Sequence, residues 1–97
     1  MSDSDEWSEA GDPVIVPVED SLDLHTFSPR DIPGLVEEYL FQCKVNGLRE
    51  VRIIHGRGKG IQRRMVRTVL EKSDLVEGFS DAPPDRGGWG ATIVQLK

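Results

Sequence analysis

The sequence predicts an α/β domain: a mixed sheet of about four strands packed with two helices, in the order strand, helix, strand, helix, strand, strand. Three observations predict it. Short β-branched or alternating runs recur along the chain, and two longer stretches between them repeat their apolar residues at helical spacing. Strands joined through a helix call for parallel pairing with a right-handed crossover, whereas the short final connection allows an antiparallel partner. A chain of 97 residues has room for one domain and one core.

Taken in order, residues 1–13 (MSDSDEWSEAGDP) are acidic and nearly free of aliphatics, so they cannot bury enough surface to offset ordering. They are expected to be a disordered tail with Trp7 in solvent, leaving 14–97 as the domain. Residues 14–18 (VIVPV) and 22–25 (LDLH) read as extended. Alternation places Leu22 and Leu24 on one face, with Asp23 and His25 together on the other. Ser28-Pro29 and Asp31 offer helix caps, after which Ile32, Leu35, Val36, Tyr39, Leu40 and Cys43 form one helical stripe ended by Asn46-Gly47. Pro33 belongs to its first turn or marks its start.

Residues 51–54 (VRII) predict the next strand. The second helix buries Ile61, Met65, Val66, Val69 and Leu70 and turns Arg63, Arg64 and Arg67 elsewhere. Residues 75–79 predict a third strand, SDAPPDRGGWG a turn-rich loop, and 91–96 a last strand.

Composition excludes several classes. One cysteine, Cys43, rules out a disulfide framework or a cysteine-based zinc site, and its place on the apolar stripe makes it a core residue. No apolar run approaches a membrane span and no basic segment opens the chain, so a soluble cytoplasmic protein without an export signal is expected. The net charge of −5 hides an asymmetry: residues 1–23 carry eight acids and no base, leaving nine acids against all twelve bases in 24–97. Residues 49–72 alone hold eight bases and two acids, a net of +6 that suits a polyanion.

Both histidines of the chain, His25 and His55, end a strand and precede a helix, so parallel pairing puts them on one sheet edge. His55 opens HGRGKG, in which Gly56, Gly58 and Gly60 alternate with Arg57 and Lys59. Residues without Cβ let an anion approach backbone N–H groups, the helix beginning near Gly60 adds a partly positive terminus, and the cations add full charge. The imidazoles are expected to flank one groove floored by bare amides. The spacing fits neither a Rossmann turn nor a Walker loop, so a nucleotide cofactor is not expected.

LDLHT, IIHGRGKG and GGWGAT, in this order and at these separations, resemble the motifs of the small MutS-related (Smr) domain family over roughly residues 20–97. Thr26 stands where that family usually has glycine. The resemblance implies a two-layer α/β sandwich like the C-terminal domain of a bacterial translation initiation factor. It also implies binding of DNA or RNA, with nicking endonuclease activity in some members. Carried over residue by residue, Asp23 and His25 form the functional pair of the first motif, and His55, Gly56, Gly58 and Gly60 form the second. The chain is expected to stand alone, as a monomer, so the partners of larger MutS-like or repeat proteins do not carry over.

Two functions fit. In a phosphodiesterase, the glycines with Arg57 and Lys59 hold the scissile phosphate, Arg63 and Arg64 extend the phosphate contact, and Asp23, His25 and His55 carry catalysis. A divalent ion, Mg²⁺ or Mn²⁺, held by Asp23 and His25 stays open, although their spacing matches no metal signature. A non-catalytic module needs only the basic segment, the loop and Trp89 stacking on a base. A protein-interaction adaptor ranks last, because the exposed side of the first helix carries Glu37, Glu38 and Lys44 and no expected apolar patch.

Overall fold

The alternation of Leu22 and Leu24 with Asp23 sets how the first strand faces. In the computed structural model, which describes residues 18–58 and 60–97, β1 (Ser21–Asp23) pairs in parallel with β2 (Glu50–Ile54), Leu22 lying opposite Ile53 and Asp23 opposite Ile54. The acidic segment 1–13, the 14–17 part of the first apolar run and Lys59 lie outside the described residues. Parallel partners project to the same side, so Leu22 and Ile53 share one face and Asp23 and Ile54 the other.

The remaining strands complete a mixed sheet in the order β1-β2-β4-β3. Antiparallel to β2 runs β4 (Ala91–Leu96), pairing Ile53 with Thr92 and Val51 with Val94. Its other edge takes β3 (Val76–Asp81), also antiparallel. This third strand begins one residue later and runs two residues further than the apolar run suggested, and its last residue, Asp81, matters below.

Helices α1 (Ile32–Val45) and α2 (Ile61–Lys72) both cover one face. Their Val36, Leu40, Cys43, Val66, Val69 and Leu70 join Val51, Ile53, Val94 and Leu96 in a single core. Each such side chain, withdrawn from water, contributes roughly 1.5–3 kcal/mol of hydrophobic stabilisation. Pro33 sits within the first turn of α1, where its missing N–H costs no helical bond. Asn46 closes the helix by donating its backbone N–H and side-chain amide to Gln42 O, at 3.0 and 2.7 Å.

Among the described residues, the opposite sheet face carries a small apolar cluster, Ala82, Ala91 and Ile93 against Ile54, and polar pairs such as Arg52 donating to Arg86 O at 2.9 Å and Gln95 to Glu50 at 2.8 Å. The fold is therefore two layers, with both helices on one side.

Two surface expectations are corrected. Ile61 is 59% exposed, because the first turn of α2 projects beyond the sheet rim and the stripe reaches the core only at Met65. Phe41 and Val45 are 54% and 64% exposed on α1, so that helix does present an apolar pair, one turn apart on its outer side. No helix among the described residues is long and apolar enough to cross a membrane.

Topology brings three connections to one rim. The loops after β1 and β2 leave the carboxyl ends of parallel strands, and β4, antiparallel to β2, must be entered from that same end. Residues 24–31, 55–58 with Gly60, and 82–90 therefore converge.

Candidate functional site

The glycine loop and the loop before β4 are fastened together. Gly90 O accepts the N–H of His55 at 3.1 Å and of Gly56 at 2.9 Å. A Cβ on Gly90 would stand 3.0 Å from Arg57 Cγ, so the bare backbone of Gly90 lets the Arg57 stem lie across it. Arg57 then donates to Gly87 O at 3.3 Å, leaving its charge without a carboxylate partner among the described residues.

The Gly56 amide is accordingly not free for an anion, contrary to expectation. The amides further along are placed differently. Among the described residues no carbonyl caps the N–H of Gly58 or Gly60, and no side chain caps the N-terminus of α2. The first bond of that helix runs from Arg64 N to Gly60 O at 3.0 Å, so the N–H groups of Ile61, Gln62 and Arg63 have no helical acceptor. Gly60 adopts φ +82°, a left-handed conformation that β-carbon-bearing residues rarely take, and this turns the loop into the helix.

An open cavity of about 370 Å³ lies here, lined by Pro29, His55, Gly58, Gly60, Gln62 and Arg63 among others. Three glycines and the first turn of α2 line it, and Arg63 is the one cation among its described lining residues. Uncapped amides, a helix N-terminus and guanidinium groups are the elements that receive a phosphate.

The two histidines stand on the same rim but not in one groove. His55 is 6% exposed, with Nε2 2.9 Å from Thr92 Oγ1 and Nδ1 3.1 Å from Gly56 O. A carbonyl only accepts, so Nδ1 carries the proton and Nε2 accepts from the Thr92 hydroxyl in the neutral ring. Burial holds the His55 pKa below the ordinary imidazole value, although its bond to Gly56 O works the other way.

Asp23 and His25 lie on the other flank. Asp23 projects with Ile54 to the sheet face away from the helices, and its Oδ1 accepts both the His25 N–H at 3.0 Å and His25 Nδ1 at 2.9 Å. These two bonds lower the Asp23 pKa. The His25 side chain is 76% exposed, and with Nδ1 committed to the carboxylate, Nε2 faces solvent. Neither residue lines the cavity, so the expectation that both imidazoles flank it is not met. Strand alternation is the reason: His55 follows Ile54 and returns to the helix side, whereas Asp23 is in register with Ile54.

The basic residues of α2 also divide. Arg63 lines the cavity, but its guanidinium donates to Asp81 Oδ1 at 2.8 Å, and Arg67 joins the same oxygen at 2.5 Å. The Arg63 bond, first among the causes, holds the Asp81 pKa down. Arg64 faces the groove between the helices beside Pro33 and Glu37, away from the cavity. Thr92 and Asp81 escaped the sequence reading. Thr92 had a signal, a hydroxyl at an inward position of an apolar strand; Asp81 looked like one more turn residue.

The described donors do not form a metal centre closed by protein ligands alone. Among the described residues no three His, Cys, Asp or Glu side chains gather, and Asp23 Oδ1 and His25 Nδ1 are engaged with each other.

Comparison with known proteins agrees with the motifs. The family model described as "Smr domain" matches residues 22–97. The chain belongs to the Smr domain family. Among solved structures, the Smr domain of Thermus thermophilus MutS2 superposes with a TM-score of 0.77 at 34% identity, covering 81% of this chain and 99% of that one. YdaL, a stand-alone small MutS-related protein from Escherichia coli, gives 0.76 at 33% identity, covering 80% of this Smr chain and 64% of that one. In sequence, Endonuclease MutS2 of Thermus thermophilus is 40% identical over 62 residues, and that of Clostridium tetani 34% over 80. Those matches span 64% and 82% of this chain but only 8% and 10% of the relatives.

Proposed function

We propose that this Smr domain binds nucleic acid across its rim and cleaves a phosphodiester there. One phosphate sits over the amides at Gly58, Gly60 and the start of α2, held by Arg57 and Arg63 with Lys59 beside them in sequence. The strand continues over the rim toward Asp23 and His25. The observation that carries the cleavage half is the doubly bonded Asp23–His25 pair: a carboxylate that fixes Nδ1–H leaves Nε2 as an exposed base, able to take a proton from water or a ribose hydroxyl. The relatives named Endonuclease MutS2 support the same reaction class. His55 serves as a strut, holding the glycine loop against Thr92.

A second reading, binding without cleavage, is favoured by one observation: both His55 ring nitrogens are engaged, leaving a single solvent-facing imidazole at the rim. Supercoiled DNA and a structured RNA, incubated with the parent protein and with a H25A variant, separate the two. Nicking by the parent that H25A loses selects cleavage; retention on a gel by both proteins without nicking selects binding alone.

A further inference from the structure

Trp89 stands where a loop anchor would be buried, yet it is 43% exposed. Gly88 and Gly90 flank it. The indole edge rests on Gly60, where an added Cβ would come 3.4 Å from its Cη2. One face of the ring is covered by the Arg63 guanidinium, 4.9 Å from the ring centroid. Arg63 does not hover there by chance of rotamer: it is fixed by its 2.8 Å bond to Asp81, and its side chain is only 23% exposed. Gly60 and Arg63 both also line the cavity described above. The indole therefore lies beside the anion-accepting amides, backed on one face by Arg63, with the residue 43% exposed.

An aromatic face beside a phosphate site is what an unpaired base stacks on, and a cation behind the ring strengthens the stack. A base inside a continuous duplex has both faces already covered by its neighbours. We propose that the Trp89 indole, positioned by Arg63 and Asp81, is the stacking platform for one unpaired nucleobase next to the bound phosphate. The protein then prefers single-stranded or locally opened nucleic acid to an uninterrupted duplex. This rests on the phosphate reading of the glycine loop given above, and adds the class of substrate.

Affinities for three probes test it: a short oligothymidylate, an abasic strand of the same length, and a blunt hairpin duplex, each against the parent, W89A and W89F. The parent should hold the oligothymidylate about 5- to 150-fold more tightly than the abasic strand, the range set by one stacked base. W89A should erase that gap without weakening the abasic strand, and W89F should restore most of it. Equal affinity of the parent for base-bearing and abasic strands, a gap that survives in W89A, or tighter binding of the blunt duplex overturns the platform while leaving the phosphate site intact. Failure of every strand to bind in a salt-sensitive way overturns the phosphate site and the platform together. Should W89A not fold, W7F leaves Trp89 as the sole indole: its emission should be quenched by the oligothymidylate and not by the abasic strand, and unchanged emission with both refutes the stack.

Discussion

Asp23 Oδ1 accepts two hydrogen bonds from His25, one from the backbone N–H at 3.0 Å and one from ring Nδ1 at 2.9 Å. The first fixes the turn that follows β1 and the second fixes the ring within that turn. Asparagine at this position offers an amide that can present either a donor or an acceptor to Nδ1, so the tautomer is no longer imposed. D23N should lower cleavage by about 10²–10⁴-fold with nucleic-acid affinity unchanged or slightly raised, since one negative charge leaves the rim. Single-turnover cleavage alongside a binding titration checks it.

Arg57 and Arg67 are expected to behave oppositely. Among the described residues the Arg57 guanidinium bonds a carbonyl and no carboxylate, keeping its charge for a ligand, whereas Arg67 donates to Asp81 and lies over Phe79, 5.3 Å from the ring centroid. R57A should reduce the slope of log affinity against log salt by about 0.7–0.9, one phosphate contact. R67A should leave that slope near the parent value and lower the thermal midpoint instead.

His55 makes stability fall toward acid. Its folded pKa lies below the ordinary value of ~6.5, so the unfolded chain takes up the proton first as pH drops. Its contribution is full above about pH 7 and is lost as pH falls through the ordinary value to the lowered one, below which it levels off. Denaturant melts of the parent at pH 7.5, 6.5 and 5.5, each set against H55Q, should show this loss in the parent and not in the variant. At neutral pH the H55Q protein should itself be about 1–3 kcal/mol less stable, with Thr92 Oγ1 no longer properly paired.

Gly60 combines two demands. A side chain at φ +82° is strained by about 1–2 kcal/mol, and its Cβ would meet the Trp89 ring at 3.4 Å, in van der Waals contact. G60A should lower stability by that amount and weaken binding more than R57A does, because strain at this turn disturbs several amides at once. Urea melts and a binding titration measure the two effects.

Much of this was legible in the sequence. The helical stripes of 32–43 and 65–70, the turn at Asn46-Gly47 and the last strand reflect local periodicity, and local periodicity survives folding. The pairing of Asp23 with His25 was legible for the same reason, since residues two apart share a face. What failed depended on three dimensions. That two strand ends share an edge follows from topology, but which side of the sheet each histidine takes depends on the register of Asp23 against Ile54, which no motif spacing reveals. The capping of Gly56 by Gly90, 34 residues later, is a long-range bond between two loops. Asp81 was hidden for a similar reason: its partners lie on another helix, and in the sequence it is one polar residue in a turn-rich stretch.

The most direct test of the rim as a cleavage site is one substitution read two ways. H25A should retain the parent's affinity for single-stranded nucleic acid within about twofold while its cleavage rate falls by about 10²–10⁴-fold. Parent-like cleavage by H25A would contradict the assignment of His25 as the base.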